Sequence, residues 1–261
     1  MIRVMKNSYL FFLLRSAPFF PALYFHSQKV KKSITFLPPA RQPEGFVHYE
    51  NGNIVKVLFV GESSFAGVGS DYHKNSFAGY FAATFSRFYK RSVAWEVNAR
   101  SGFTVKKIRE YVLPQISRND YDLIVLGIGA NDTFEMTPPR TFKRNIESLI
   151  IDLEEKFPEK PVLFVQFPTV EKFPAFSQLM QKVLGDYKDL LGNILHKKTI
   201  NTKNFYYPNR KIEVDRWLGH LDEGQTITAF FSDGVHPSEL TYQLWAEESV
   251  EFLSKNNLYF D

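Results

Sequence analysis

Not one of the 261 residues is a cysteine. That excludes disulfides, thiolate catalysis and cysteine-ligated zinc, and it leaves the compartment undecided. Histidine, aspartate and glutamate nowhere cluster at metal-ligand spacing, so no metal site is expected. No internal repeat or low-complexity segment is visible. An unbroken apolar run of about 20 residues, the length of a spanning helix, is also missing. With 32 basic and 28 acidic residues, the formal charge is only +4. The basic residues form no recognisable nucleic-acid-binding signature, so no nucleic-acid partner is expected.

What is present describes a globular chain, 44% hydrophobic and 23% charged. Its length accommodates one α/β domain with a sizeable core. Residues 1–50 stand apart as an apolar arm with a proline-rich connector, Thr35 to Gly45, and residues 51–261 read as the domain. The arm begins basic and continues through Tyr9-Leu-Phe-Phe-Leu-Leu14 and Ala17 to Phe25. Arg15, Pro18 and Pro21 interrupt it, and no small-x-small cleavage site follows, so a secretory signal is disfavoured. Basic residues Arg3, Lys6, Arg15, Lys29, Lys31 and Lys32 flank its aromatics. That pattern fits a segment lying in a membrane interface, anchoring the protein through residues 1–32; otherwise the protein is expected in the cytoplasm. The alternative is an arm packed on the domain's own surface.

From residue 54 onward, continuous apolar runs alternate with helical periodicity. Strands are expected at Ile54–Val60, Val93–Ala99, Tyr121–Gly127, Pro161–Gln166 and Phe205–Tyr207. Helices are expected near 76–89, 105–112, 177–196 and 238–253, with a long one after Thr137, whose cap is followed by Pro138 and Pro139. Strands that are apolar throughout belong to parallel sheets covered on both faces. The expected fold is a three-layer α/β/α, doubly wound parallel sheet.

The chemistry-bearing residues fall at strand ends or just before helices. Gly61-Glu62-Ser63 follows the first strand, with Ser64 as a rival hydroxyl. Gly102 follows the second, and Gly129-Ala130-Asn131-Asp132 the third. Asp233-Gly-Val-His236 precedes the last helix. A hydroxyl nucleophile needs a base, and the base needs an orienting carboxylate. Ser63, His236 and Asp233 supply these. The N–H groups of Ser63 and Gly102 and the amide of Asn131 would receive an oxyanion.

In this order, the four blocks resemble the SGNH branch of the GDSL hydrolases, the lysophospholipase-like esterases of bacterial type. The family's Gly-Asp-Ser, lone Gly, Gly-x-Asn-Asp and Asp-x-x-His correspond to Gly61–Ser63, Gly102, Gly129–Asp132 and Asp233–His236. The likeness spans roughly residues 54–254 and extends to a Phe-Pro-Ala loop, Phe173–Ala175. It implies a flavodoxin-like sheet of order 2-1-3-4-5, no metal or organic cofactor, and ester hydrolysis through an acyl-enzyme. Glu62 departs from the family's usual Asp, a residue whose part is to hold the turn.

The expected substrate is a small-molecule or lipid-like ester with a short acyl or aryl group. An O-acyltransferase or a carbohydrate deacetylase would use the same residues, and a non-enzymatic binding module would be marked by a broken triad. The loop Phe167–Phe176 either forms an acyl pocket or closes the sheet edge. Asp71 and His73 read as a solvated loop, His220 and Asp222 as a substrate rim. His26, His48 and His196 lack partners at useful spacing.

Overall fold

In the computed structural model, the structure describes residues 9–10, 12, 14–19, 21, 23, 25–26, 30, 37–50, 52–208, 212, 214–256, 258 and 260. Its centre is a six-stranded sheet of order β1-β3-β2-β4-β5-β6. The strands are β1 (Glu44–Val47), β2 (Ile54–Gly61), β3 (Ser92–Ala99), β4 (Leu123–Gly127), β5 (Val162–Phe164) and β6 (Phe205–Tyr206). All neighbours pair in parallel except β1, which lies antiparallel against β3. Without β1, the order is the 2-1-3-4-5 of the family.

β1 is an addition to the expected strands, because it is only four residues long and lies in a stretch that reads as connector. Its Gly45 pairs with Trp95, and a side chain at 45 would run into the indole ring. Bare backbone there lets the ring lie over the sheet edge, an exchange of local propensity for packing.

The long helices are α1 (Phe77–Tyr89), α2 (Pro139–Lys156), α3 (Gln178–Thr199) and α4 (Glu239–Lys255). Strand alternation divides the core into two layers. Leu58, Val60, Ile124 and Leu126 face one, with α2 and α3. Val57, Phe59, Val93 and Val125 face the other, with α1 and α4. Phe59 is fully buried, a contribution of about 1.5–3 kcal/mol for a side chain of that kind.

Local chemistry sets the helix boundaries. Ser177 and Ser238 cap α3 and α4 by accepting the N–H groups of Met180 and Thr241 at 3.4 Å. At the start of α2 the cap position falls on Pro138 rather than on Thr137, whose N–H donates to Asp132 O. The helix expected at 105–112 is α-helical only for Val105–Lys107 and widens into a π turn over Ile108–Val112. An ion pair with a buried lysine ties the loop after β5 to α3. Lys188 Nζ, its side chain 6% exposed, donates to both oxygens of Glu171 at 2.7 Å.

The described part of the arm lies on the domain. Phe12 is buried, with its ring 5.0 Å from that of Tyr187. Leu23 and Val30 join the small cluster of Val170, Phe173, Met180 and Leu184. His26 does have a partner, since its Nδ1 lies 2.7 Å from Ser177 Oγ. The outer face keeps Leu10, Leu14, Phe19 and Phe25 exposed beside the exposed Arg15. Among the described residues, no helix is long and apolar enough to cross a membrane. Arg3, Lys6, Lys29, Lys31 and Lys32 lie outside the described residues.

Candidate active site

The register of the sheet creates the site. Gly61 pairs with Ala99 on one side and with Gly127 on the other. Three strands therefore end level, and the segments carrying Ser63, Gly102 and Asn131 leave from one line. Connections depart from β2 in opposite senses to β3 and β4, which opens the crevice where ligands of doubly wound sheets bind.

Ser63 is half-buried in the turn after β2, whereas Ser64 is buried at 5% exposure. Accessibility thus separates two hydroxyls that are equivalent on paper. Neither the Ser63 N–H nor the Gly102 N–H has a hydrogen-bond partner among the described residues. Gly102 has φ +77, and a Cβ there would meet nothing described within 4 Å. Glycine is used at 102 for its backbone conformation, and the space beside it is open.

The opposite wall is a tight turn, residues 232–237. Asp233 Oδ1 accepts the N–H groups of Val235 at 3.0 Å and His236 at 2.8 Å. Its Oδ2 lies 2.8 Å from His236 Nδ1. A carboxylate on that nitrogen makes Nδ1 the protonated one and leaves Nε2 as the acceptor. Burial pushes the Asp233 carboxyl upward, but the bonds from the His236 side chain and backbone outweigh it and bring it below the ordinary value. The Asp233 side chain is 5% exposed and that of His236 21%, so the imidazole reaches solvent while its carboxylate partner does not.

This turn is pressed onto the one that follows Ser63. A Cβ at Gly69 would collide with Pro237 O and lie 2.5 Å from Ser232 Oγ. Tyr242, fully buried on α4, donates its hydroxyl to Val68 O at 2.7 Å. From the third side, Ala175 N–H donates to Gly234 O at 3.1 Å. The Phe-Pro-Ala segment therefore braces the histidine turn. Its Phe173 is buried and packs with Phe176 and Phe231 at ring distances of 5.3 and 5.4 Å.

Two acidic residues tie together the segments that carry Gly102 and Asn131. Asp132 Oδ2 accepts Val105 N–H at 2.8 Å, so it caps the helical turn just beyond Gly102 rather than its own helix. Glu62, 1% exposed, reaches over the N-terminus of the short helix Ala130–Phe134. Its Oε1 accepts Ala130 N–H at 2.9 Å, and its Oε2 accepts Asn131 N–H at 2.9 Å. Oε2 also accepts the Asn131 side-chain amide at 2.6 Å, and that amide's other contact is Phe103 O at 3.2 Å. Neither role is legible in the sequence. The departure from Asp at position 62 is the only signal it carries.

Among the other histidine and carboxylate readings, that of His73 changes. His73 is buried, not solvated; its Nδ1 lies 3.2 Å from Ser76 Oγ, and burial lowers its pKa to about 4. Asp222 bonds with Gln225 in an exposed turn, and His220 is exposed beside it.

Comparison with known proteins agrees with this architecture. The GDSL-like Lipase/Acylhydrolase family model matches residues 59–244. An isoamyl acetate-hydrolyzing esterase of Schizosaccharomyces pombe is 24% identical over 220 residues, covering 81% of this chain and 80% of that protein. Among solved structures, a putative GDSL-like lipase from Parabacteroides merdae superposes with a TM-score of 0.59 at 17% identity, covering 80% of this chain and 99% of that one. An acetyl xylan esterase from Geobacillus stearothermophilus gives a TM-score of 0.54 at 16% identity, covering 80% and 98%. The chain belongs to the GDSL-like lipase/acylhydrolase family and is an ester-hydrolysing enzyme.

Proposed function

We propose that this enzyme cleaves short-acyl carboxylic esters through a covalent acyl-serine, with Ser63, His236 and Asp233 as its triad. Ser63 Oγ attacks the ester carbonyl carbon while His236 Nε2 takes its proton. Asp233 holds the imidazole in that tautomer and stabilises the imidazolium. The tetrahedral oxyanion is received by the N–H groups of Ser63 and Gly102 and by the Asn131 amide. The imidazolium then protonates the leaving alcohol, and His236 activates the water that releases the acid. The observation that carries this reading is the Asp233–His236 pair at 2.8 Å, on a turn packed against the turn that follows Ser63. A short acyl group is favoured by the named substrates of the two esterases similar to this chain, isoamyl acetate and acetyl xylan.

Labelling by a fluorophosphonate tests the nucleophile. It is expected to vanish in Ser63→Ala and to persist in Ser64→Ala; the reverse outcome moves the nucleophile to Ser64.

For the arm, we propose that the outer face of Leu10, Leu14, Phe19 and Phe25 meets a lipid surface while the inner face stays on the domain. Exposed apolar side chains beside Arg15 support this. Co-sedimentation with anionic vesicles should be lost when these four are replaced by serine, and binding that survives the replacement removes the proposal.

A further inference from the structure

Glu62 is not explained by holding a turn. Its carboxylate is buried, accepts three N–H groups, and one of them belongs to a side chain in the oxyanion site. An asparagine amide has two faces that differ only in which atom is presented, and the surroundings decide between them. With Nδ2 toward Glu62, a charge-assisted bond of 2.6 Å forms, and the second hydrogen is directed to the Gly102–Phe103 segment. Flipped, the amide would set Oδ1 against both the carboxylate and Phe103 O, with no hydrogen for either. The bond to Phe103 O, at 3.2 Å, is the longer of the two. A developing oxyanion beside Gly102 is a stronger acceptor than a neutral carbonyl and can draw that hydrogen to itself.

We infer that Glu62 is a positioning residue: its ionised carboxylate occupies one amide hydrogen of Asn131 and thereby aims the other at the substrate oxyanion. The inference rests on the triad and oxyanion reading given above. The side chain spans from the end of β2 to both the backbone and the side chain of Asn131.

The charge needed for this is not held far from its limit. Burial raises the Glu62 pKa from 4.5 to about 7; Asp132 raises it too, against the lowering by the Asn131 and Ala130 hydrogen bonds. Asp132 is on the same short helix as those two donors. Gly127 from β4, Phe65 from the following turn and Phe103 from the third side bring no ionisable group, and Arg100, whose N–H bonds to Gly61 O, has an exposed side chain. Protonation of Glu62 near neutrality would weaken its hold on the amide. That protonation would steepen the acid limb of kcat.

The experiment is a double-mutant cycle on p-nitrophenyl acetate with Glu62→Gln, Asn131→Ala and the pair, with Glu62→Asp as the conservative variant and Ser63→Ala as the control. Glu62→Gln should lower kcat about 10–10²-fold, part of the 10²–10³ that an oxyanion donor supplies, with KM changed little. Glu62→Asp should recover most of that loss. In the Asn131→Ala background, Glu62→Gln should cost less than about threefold, since its effect runs through the missing amide. An undiminished cost there overturns the inference while leaving the triad reading intact. Retained activity in Ser63→Ala instead overturns the triad reading. If Glu62→Gln does not fold, the acid limb of kcat decides: a steeper limb in the wild type than in Asn131→Ala supports the inference, and equal limbs refute it.

Discussion

Replacing Asp233 by asparagine changes almost no volume and reverses one hydrogen-bond polarity. In Asp233→Asn the side-chain carbonyl oxygen would still accept the N–H groups of Val235 and His236, so the turn keeps two of its three bonds. The new amide nitrogen, however, would face His236 Nδ1 across the present 2.8 Å. Two N–H groups cannot point at one another, so the ring adopts the other tautomer, with Nδ1 as acceptor and the proton on Nε2. That nitrogen then has no lone pair for the proton of Ser63. A tautomer reversal of this kind in a Ser-His-Asp triad lowers kcat about 10⁴-fold, or roughly 5 kcal/mol of barrier. Stability should fall much less, by about 1–2 kcal/mol, because one charge-assisted bond becomes a neutral one. The assay is kcat on p-nitrophenyl acetate with thermal unfolding in parallel, and ¹⁵N NMR of His236 to read the tautomer. The variant should also lose part of the pH dependence of stability. The Asp233 pKa lies below its ordinary 3.8, so its stabilisation is present above that value and is lost as pH falls through the folded-state pKa. A variant retaining kcat within about tenfold, with the tautomer unchanged, would refute the reasoning.

Two further outcomes follow from buried groups away from the chemistry. Glu171→Gln leaves Lys188 charged, almost without solvent and with Asp189 at 3.5 Å as its remaining carboxylate. Unfolding in urea should show a loss of about 1–3 kcal/mol, and no measurable loss contradicts the burial argument. His73 is held neutral with a pKa of about 4 against 6.5 when unfolded. The unfolded chain therefore binds the extra proton, and stability falls by about 3 kcal/mol as pH drops through that range. Glu62 acts in the opposite sense over nearly the same range, losing stability as pH rises from 4.5 to about 7. The His73 effect is therefore read as the difference between wild type and His73→Gln across that range, and a constant difference rules it out.

The parallel strands were legible because Ile54–Val60 and its successors are apolar at nearly every position, which only a sheet covered on both faces permits. The residues brought to the crevice were legible for a related reason: strand ends are where such sheets place their ligands, and most candidates stood at one. What could not be read depends on contacts between distant segments. β1 is an edge strand whose defining feature is a glycine under Trp95, a partner far along the chain. His73 looked solvated because polar neighbours surround it in sequence, yet in space it lies against Gly67 and Ser76. Glu62 and Asp132 are local in no sense, since each caps a helical turn that another strand delivers. Caps of that kind leave no periodic trace.

The bond from Tyr242 to Val68 O also has a consequence for how the enzyme comes into being. Chains grow from the N-terminus, and domains fold as their elements become available. The turn bearing Ser63 can be made early, but its proposed base arrives at residue 236, just before a helix that ends at Lys255. At about 5–20 residues per second, roughly 10–40 s separate synthesis of the two. During that interval Ser63 would lack the proposed base, and the aromatic face of Phe77–Tyr89 waits for the helix that will cover it. Ester cleavage by a ribosome-bound chain would thus date the docking of its last helix.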